Sequence, residues 1–550
     1  MSAPLSKSTS TAQRSPPSFT SVLVIGGGPA GSYSAACLAQ EGFSVTLLEA
    51  ETFPRYHVGE SMLPSMRHFL RFIDADDKFN SFGFIQKHGA AFKFNPRKRE
   101  GFTNFVSDNP TNYTWNVTRA EADALILDRA RELGVRIYEN HRITEVQFSQ
   151  PDTKASKQED GPPATANQSQ SEAQEVQPLP VSATWKNVAT GKVGKITFDW
   201  VIDASGRNGV MSRALGLRKY NQSLKNVAYW GYWTGTQEYR HPGCQVQPPF
   251  FEALHDESGW AWFIPLQNGK TSVGVVMDEN VSKRKKANME KKGDDSLLLR
   301  HYLQELTANA PKIKSLVGEG SLIEYSGGPK VRTASDYSYS STSYAGSNYR
   351  IVGDAGAFID PFFSSGVHLA LSSGLSAAAT ITATVRSECT ASQAAEWHNL
   401  RVGTSYTRFL MIVLSAYRQM RAQELPVLSD IDEDNFDRAF DLFRPVIQGD
   451  VDVKKELSEA SLRQTIDFCT QAFEPASLED WHKEGDNSKT EEDETDEEAK
   501  TRAEKRMADV VAAKKTLRAE DMFHIGKFIA DKFNGFSIRL EKGRLGLDLC

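Results

Sequence analysis

Cysteine is scarce in this sequence, with only five in 550 residues. No two of them form a C-x-x-C pair, so the sequence predicts neither a zinc site nor a dithiol redox motif, and we expect no bound metal. A sparse, odd set of cysteines is typical of a reducing compartment. The cysteine content therefore predicts a cytoplasmic protein.

Long apolar runs and an excess of basic charge are also missing. Residues 1–20 are rich in Ser, Thr and Pro and lack the apolar core of a signal peptide, so they are predicted to form a disordered leader. The apolar run Phe409–Leu414 is far shorter than the roughly 20 residues that cross a bilayer, so we expect no membrane span. The net charge of -6 argues against a nucleic-acid partner.

Two segments contain too few apolar residues to contribute to a core. Residues 149–180 consist mainly of Gln, Ser, Glu, Ala and Pro with almost no aromatic residue, which predicts a mobile insert between strands. Residues 484–505 carry the acidic run Glu491–Glu494, which is typical of a solvated linker. The ordered part of the chain is therefore expected on either side of these segments.

The chain does contain a clear strand–helix–strand pattern near its start. Ser21–Gly26 (SVLVIG) predicts a buried strand, Pro29–Gln40 a helix, and Phe43–Glu49 (FSVTLLE) the next strand. A unit of about 30 residues with this order begins a doubly wound parallel sheet.

The turn inside this unit matches the dinucleotide fingerprint G-x-G-x-x-G through Gly26, Gly28 and Gly31. Gly26 permits the tight turn, Gly28 lets the backbone approach a pyrophosphate, and Gly31 lets helix and strand pack closely. Ala30 lies within the same cofactor-binding turn, where the helix N-terminus faces the phosphates. Glu49 follows about 20 residues later and is expected to accept hydrogen bonds from a ribose. This pattern predicts a dinucleotide but leaves NAD and FAD open.

Two later segments favour FAD. Val201–Gly206 (VIDASG) and Arg350–Ala355 (RIVGDA) resemble the two downstream flavin motifs of the FAD monooxygenase superfamily. The resemblance implies that Asp354 binds ribityl or ribose hydroxyls of FAD and that Arg119 contacts the flavin. The alternatives are that Asp354 caps the next helix and that Arg119 makes an ordinary ion pair.

The same resemblance implies the fold, a mixed α/β (α+β) architecture. We expect a FAD-binding, glutathione-reductase-like Rossmann domain interleaved with an antiparallel-sheet substrate domain. This FAD-binding monooxygenase-like or halogenase-like module is placed at residues 21–394. A mostly helical C-terminal region is expected at residues 395–550.

Two further motifs separate halogenases from aromatic hydroxylases. The segment GWAWFIPL contains W-x-W-x-I-P, the signature of flavin-dependent halogenases, through Trp260, Trp262, Ile264 and Pro265. In that family the motif is thought to keep the organic substrate away from the flavin. The segment FIDPFFSSG resembles the family's F-x-x-P-x-x-S-x-G motif.

The second motif implies a halide site and narrows the substrate. By resemblance, Ser365 and Gly366 hold chloride beside the flavin, and backbone N–H groups at such a turn can bind an anion. Tryptophan halogenases carry a Glu where this sequence has Phe363. The chain is therefore closer to the fungal-type halogenases that act on phenolic polyketides.

A lysine completes the resemblance. The segment FIQKHGAAFKF resembles the part of these enzymes that carries the catalytic lysine; Lys87 is the first candidate and Lys93 the second. The resemblance implies that reduced FAD, O2 and chloride yield hypochlorous acid, which chlorinates an electron-rich phenol beside the lysine. A separate flavin reductase would supply the reduced FAD. The main alternative is an aromatic hydroxylase that uses FAD and NADPH, and a binding or structural role is the third possibility.

Overall fold

The computed structural model describes residues 15–96, 99–107, 109–149, 179–289, 297–324, 330–421, 423 and 532–550. Most of the predicted leader (1–20), nearly all of the predicted insert (149–180) and the whole predicted acidic linker (484–505) lie outside these ranges. The first strand begins at Phe19, two residues before the predicted start.

The described residues form twenty strands. In chain order these are Phe19–Ile25 (β1), Val45–Leu48 (β2), Ile85–Lys87 (β3), Gly89–Lys93 (β4), Gly101–Asn104 (β5), Thr114–Asn116 (β6), Arg136–Tyr138 (β7), His141–Phe148 (β8), Pro180–Asn187 (β9), Val193–Asp203 (β10), Arg218–Thr234 (β11), Phe250–Ala253 (β12), Gly259–Leu266 (β13), Lys270–Asp278 (β14), Ser321–Leu322 (β15), Arg332–Ser341 (β16), Ala345–Gly346 (β17), Tyr349–Ile351 (β18), Phe536–Arg539 (β19) and Gly546–Leu549 (β20).

Ten α-helices accompany these strands in the described ranges. They are Pro29–Gln40 (α1), Met66–Phe72 (α2), Asp76–Ser81 (α3), Arg119–Glu132 (α4), Val210–Ala214 (α5), Glu279–Ala287 (α6), Leu297–Asn309 (α7), Pro311–Val317 (α8), Gly366–Val385 (α9) and Ala391–Arg421 (α10).

The first sheet contains the nucleotide-type half of the fold. Its strands run in the order β17-β18-β10-β1-β2-β7, and β8 and β9 extend it beside β10. The pairs β1/β10, β1/β2, β10/β18 and β2/β7 are parallel. Because helices cover both faces of a parallel sheet, its central strands are mainly apolar where they are buried, and β2 (VTLL) is buried along its whole length. This confirms the predicted doubly wound unit.

The second sheet is largely antiparallel, as expected for the interleaved domain. Its order is β15-β11-β14-β13-β12-β4-β5, with β16 paired to β11. Only the β12/β4 pair among these strands is parallel. The Trp motif lies on β13, which is buried along its whole length.

Small residues let two helices approach each other beneath the nucleotide turn. Helix α9 is rich in Ala, Ser and Gly, and it packs against α1. A Cβ at Gly374 would lie 2.9 Å from the Ala30 carbonyl oxygen, so a larger residue there would push the helices apart. This contact joins α9, which follows the predicted halide-binding motif, to α1, which follows the predicted dinucleotide turn.

The C-terminal end differs from a purely helical region. Helix α10 spans the expected boundary at 394/395, and β19 and β20 form an antiparallel hairpin that sequence reasoning missed. The hairpin packs on α10, where the Trp397 indole N–H donates to the Phe536 carbonyl oxygen at 3.0 Å. In the described ranges, no helix has the length and apolar character that crossing a membrane requires.

Candidate active site

A cavity of about 670 Å³ lies where the carboxyl ends of β1, β2, β10 and β18 meet the second sheet. Ligands of open α/β sheets bind at this edge of the strands. The volume is in the range of cofactor and drug-sized sites. Predicted cofactor, halide and Trp-motif residues all contribute to its wall; they are Gly26, Gly28, Ala30, Glu49, Arg119, Trp260, Trp262, Ile264, Asp354 and Gly366.

The fingerprint glycines have the backbone geometry that such a turn needs. Gly26 has φ of 101°, a conformation that residues with a Cβ rarely adopt, and a Cβ there would overlap the Ala204 carbonyl group. A Cβ at Gly31 would overlap the Gly26 carbonyl oxygen. Gly28 precedes α1, so the free N–H groups of that helix face the cavity. The turn is therefore a cradle that fits a pyrophosphate, and its binding role stays a prediction.

Glu49 lies at the end of β2 and touches the glycine turn. Its Oε2 accepts a hydrogen bond from the Gly27 N–H at 2.6 Å, and its Oε1 accepts one from the Glu51 N–H at 2.8 Å. The side chain is buried but borders the cavity. These backbone bonds fix the carboxylate at the position where a ribose would approach.

Asp354 borders the cavity without a hydrogen-bond partner for its carboxylate among the described residues. Burial raises its pKa above the ordinary value, and the nearby charges of Arg207 and Arg119 oppose that shift. Asp354 opens the short 3-10 turn Gly353–Ala355 after β18, but its side chain does not cap that turn. An unpaired carboxylate at a cavity wall fits a ligand hydroxyl.

Arg119 begins α4 and makes an ion pair, which the sequence analysis gave as the alternative to a flavin contact. Its guanidinium binds both carboxylate oxygens of Asp123 at 2.8 and 3.0 Å, and it also donates to the Val58 carbonyl oxygen at 2.9 Å. Burial alone would raise the pKa of Asp123, but the charge of Arg119 holds it below its ordinary value. Because Arg119 also lines the cavity, the ion pair and a flavin contact are compatible.

The predicted halide loop precedes α9. Ser365 is the residue before the helix, and its buried hydroxyl has no partner among the described residues. Ser364 has φ of 58°, which turns the chain so that Gly366 reaches the cavity wall. A Cβ at Gly366 would meet open space. An unpaired hydroxyl and the N-terminus of a helix of 20 residues suit a small anion.

The Trp motif forms a wall of this cavity by strand alternation. Trp260, Trp262 and Ile264 point to the cavity, whereas Pro265 does not line it. The Trp262 indole N–H donates to the Ser272 hydroxyl at 3.0 Å, which holds the ring against β14. Phe363, which stands where tryptophan halogenases carry a Glu, is buried against Phe92 and Phe362. The position is therefore apolar and offers no carboxylate.

Lys87 is buried at the end of β3. Its ammonium donates to the Ser61 hydroxyl at 2.8 Å and to the Met62 carbonyl oxygen at 2.9 Å, and it lies 5.1 Å from the centre of the Phe105 ring. Burial lowers its pKa to about 7. Lys87 does not line the cavity itself, but Ser61 does. The Ser61 hydroxyl thus lies between the lysine and the cavity. Because its pKa is about 7, Lys87 can exist as a neutral amine at neutral pH.

Lys93, the second candidate, lies on the other side of the second sheet. Phe92 and Phe94 belong to the aromatic cluster that contains the Trp motif, so the side chain between them points the opposite way. Burial raises the pKa of Glu252, and backbone hydrogen bonds and the charge of Lys93 oppose that shift. Lys93 also contributes to the lowered pKa of Glu100, so two carboxyl groups lie near it. The structure therefore favours Lys87.

Sequence reasoning missed a hydrogen-bonded chain on the cavity wall. The Trp230 indole N–H donates to the Tyr56 hydroxyl at 2.7 Å, the Tyr56 and Tyr232 hydroxyls are 3.0 Å apart, and Tyr232 donates to Glu60 at 2.7 Å. Glu60 is 2% exposed, and burial raises its pKa. In the sequence, Tyr56 and Glu60 lie in the segment RYHVGES, whose pattern by itself predicts no catalytic role. Glu60 lines the cavity together with Tyr56 and Trp230, so this chain places a buried carboxyl group at the cavity wall.

A second missed network joins the two halogenase motifs. The Tyr417 hydroxyl of α10 accepts a hydrogen bond from the Trp260 indole N–H at 3.0 Å and donates to Asp360 at 2.6 Å. Asn226 of β11 donates to both Tyr417 and Asp360. Asp360 also accepts from the Phe362 N–H at 3.0 Å and so shapes the halide loop. Nothing in the sequence connects Tyr417 to these motifs.

Comparison with known proteins is consistent with this site. The family model described as tryptophan halogenase matches residues 21–160 and 165–461. A flavin-dependent halogenase from Armillaria mellea is 51% identical over 468 residues, which are 84% of this chain and 84% of the relative. The sulochrin halogenase of Aspergillus terreus is 43% identical over 540 residues, which are 96% of this chain and 93% of the relative.

A solved structure has the same fold. The myxobacterial chondrochloren halogenase, described as a new variant of FAD-dependent halogenases, superimposes with a TM-score of 0.61 at 28% identity. The match covers 79% of this chain and 90% of that protein.

Proposed function

Because this chain belongs to the flavin-dependent halogenases, the family of the tryptophan halogenase model, we propose that it chlorinates an electron-rich phenolic aromatic compound of the polyketide type. The observation that carries the proposal is a single cavity bordered by the glycine cradle, the loop before α9 and the Trp wall, with a buried lysine one hydroxyl away. The aromatic hydroxylase alternative lacks this support, because its chemistry needs neither an anion site nor the lysine.

FAD fits the nucleotide end of the cavity. The glycine turn and α1 would hold the pyrophosphate, and Glu49 and Asp354 would bind hydroxyl groups of the cofactor. Reduced FAD would supply the two electrons that activate O2, and O2 would then oxidise chloride, giving hypochlorous acid and water with uptake of protons. Ser365 and Gly366 would hold the chloride at the other end of the cradle.

The wall formed by Trp260 and Trp262 would then separate two steps: formation of the oxidant at the flavin, and chlorination of the phenol at Lys87. Trp260 and Trp262, which line the cavity, would keep the phenol away from the flavin, so that oxygen would not be transferred to it directly. Lys87 would receive the hypochlorous acid and direct its chlorine to the ring carbon ortho or para to the hydroxyl. With a pKa near 7, the lysine can bind the oxidant as an ammonium or accept chlorine as an amine at neutral pH.

Phe363 and the aromatic wall support a phenolic rather than a tryptophan substrate. The position carries a buried Phe, so the acid that tryptophan halogenases have there is absent. A planar phenol would find apolar partners in this region. The relative named as a sulochrin halogenase makes sulochrin the first compound to test.

The test is product mass spectrometry with purified protein, FAD, a separate flavin reductase, NADH and chloride. We expect a product of sulochrin that gains one chlorine with its isotope pattern, and no product when the reductase or chloride is omitted. Unaided NADPH consumption and a product that gains oxygen would instead establish the hydroxylase. Bound FAD without turnover under any condition would favour a binding role. Cell fractionation would test the predicted cytoplasmic location.

A further inference from the structure

Two buried side chains beside Lys87 have polar atoms without hydrogen-bond partners in the described part of the chain. These atoms are the Thr114 hydroxyl and both the N–H2 and the oxygen of the Asn116 amide. Both residues are 0% exposed. An unpaired buried polar group costs about 1–3 kcal/mol, and most such groups in proteins bind protein or ordered water. These three atoms, on two alternate residues of β6, are candidates to bind a small polar molecule.

The strand register brings these atoms to the lysine. Lys87 is opposite Thr114 and Ile85 is opposite Asn116 in the antiparallel pair of β3 and β6. Residues opposite each other in such a pair point to the same face, and so do residues two apart. Asn116 is also bridged to Ser61, which accepts the Lys87 hydrogen bond and borders the cavity. All four polar side chains therefore share one face, with Ser61 toward the cavity.

The unpaired atoms define the chemistry of the ligand. The Asn116 amide offers a donor and an acceptor, the Thr114 hydroxyl can act as either, and Lys87 donates. A neutral molecule with a single O–H group can donate to the Asn116 oxygen and accept from the N–H groups of Asn116 and Lys87. Chloride can only accept, so it would leave the Asn116 oxygen unpaired. Because these side chains are fully buried, a ligand that contacts them can have only a few heavy atoms.

We propose that Asn116 and Thr114 hold hypochlorous acid against Lys87 until the phenol ring takes its chlorine. This inference rests on the proposed function, which supplies the oxidant. In the transfer, the ring forms a carbon–chlorine bond while the chlorine–oxygen bond breaks and its electron pair goes to oxygen. The oxygen takes up the proton that the ring loses, and it leaves as water.

The experiment uses two near-isosteric variants of the full-length enzyme, Thr114→Val and Asn116→Leu. Each is assayed with reductase, FAD, chloride, phenol substrate and monochlorodimedone, which traps free hypochlorous acid. We expect the ratio of chlorinated phenol to trapped oxidant to fall at least tenfold. The melting temperature should stay the same or rise, because unpaired buried groups have been removed.

Thr46→Val is the matched control. Thr46 is also a fully buried strand residue with an unpaired hydroxyl, but it lies on β2 and does not line the cavity. We expect it to keep the wild-type ratio. Thr114→Ser retains the hydroxyl and should also keep most of that ratio.

The ratio is formed only by molecules that turn over, so partial misfolding of a variant does not change it. Wild-type ratios in both Thr114→Val and Asn116→Leu would overturn the inference and leave ordered water as the partner of these atoms. If wild-type enzyme yields neither chlorinated phenol nor trapped oxidant, the proposed function itself is rejected.

Discussion

At the scale of single residues, burial separates the two candidate lysines. Lys87 is 2% exposed and donates to one hydroxyl and one carbonyl oxygen, and no carboxylate among the described residues balances its charge through a hydrogen bond or ion pair. A cation in such a place is costly, which is why its pKa falls. Lys93 is only partly buried and lies near Glu100 and Glu252.

Replacing Lys87 by Met should reduce halogenation about 100-fold or more, because the group that directs the electrophile is lost. FAD binding should persist, since Lys87 is not part of the cavity wall. Lys93→Met is the matched control and should retain activity. Product yield per NADH and the flavin absorbance spectrum measure the two effects. Loss of activity in Lys93→Met alone would reverse the assignment.

Burial of Lys87 should also make the free energy of unfolding depend on pH. Burial lowers the folded-state pKa of Lys87 from 10.5 to about 7, so between these values the unfolded chain binds a proton that the folded chain does not. Wild-type stability relative to Lys87→Met should therefore be lowest below pH 7 and rise with pH. The change from pH 6 to pH 9 should be about 3 kcal/mol. Urea unfolding of both proteins at the two pH values measures it, and a constant difference would contradict the shift.

At the scale of elements, α10 links parts of the site that are far apart in sequence. Its Tyr417 hydroxyl binds Trp260 of β13 and Asp360 of the halide loop, so the loop and the Trp wall have a fixed separation. Buried hydrogen-bond networks of this kind hold a geometry because each member loses a partner if another moves. The helix thus positions the proposed halide site without contributing a residue to the cavity wall.

Tyr417→Phe should raise the KM for chloride several-fold with a smaller effect on kcat. Removal of the hydroxyl leaves the Trp260 N–H and the Asp360 carboxylate each without one partner, at a cost of about 1–3 kcal/mol. Tyr406→Phe on the same helix is the control, since no hydrogen bond joins that hydroxyl to either motif in the described residues. Halide titrations of turnover measure both variants. Equal chloride KM values in wild type and Tyr417→Phe would refute the positioning role.

At the scale of the whole molecule, residues 543–547 contact the end of α1 and the helices α9 and α10. The N–H groups of Gly543 and Leu545 donate to the Glu41 carboxylate at the end of α1, and Leu547 packs with Trp397 and Ala383. The C-terminal segment thereby packs against the helices α1, α9 and α10. Its contribution is to stability, since it does not border the cavity.

Leu547→Ala should lower the free energy of unfolding by about 2–5 kcal/mol, because a buried side chain is replaced by a cavity. Leu549→Ala changes the same residue type on the same strand, but Leu549 is 79% exposed, so its effect should be small. Thermal and urea unfolding measure the difference. Equal stabilities of the two variants would show that the hairpin does not pack on the core in solution.

Much of the site could be read from local sequence because local physics dictates it. A glycine turn after a buried strand needs φ that other residues avoid, and Gly26 and Gly31 stand where a Cβ would collide with backbone. Period-two alternation placed Trp260 and Trp262 on one face of β13. The hairpin was missed because its strands are short and partly exposed, with little alternation to mark them.

The sequence by itself determined the nucleotide-binding unit, the halogenase motifs and the candidate lysine, because each depends on residues that are neighbours in the chain. Tertiary structure alone buried Lys87 next to the cavity and left Lys93 partly buried, and it alone joined Tyr417 to two motifs and placed Thr114 and Asn116 on the face that Lys87 shares. Burial, strand register and contacts between distant segments arise only when the sheets and helices pack. No local pattern encodes them.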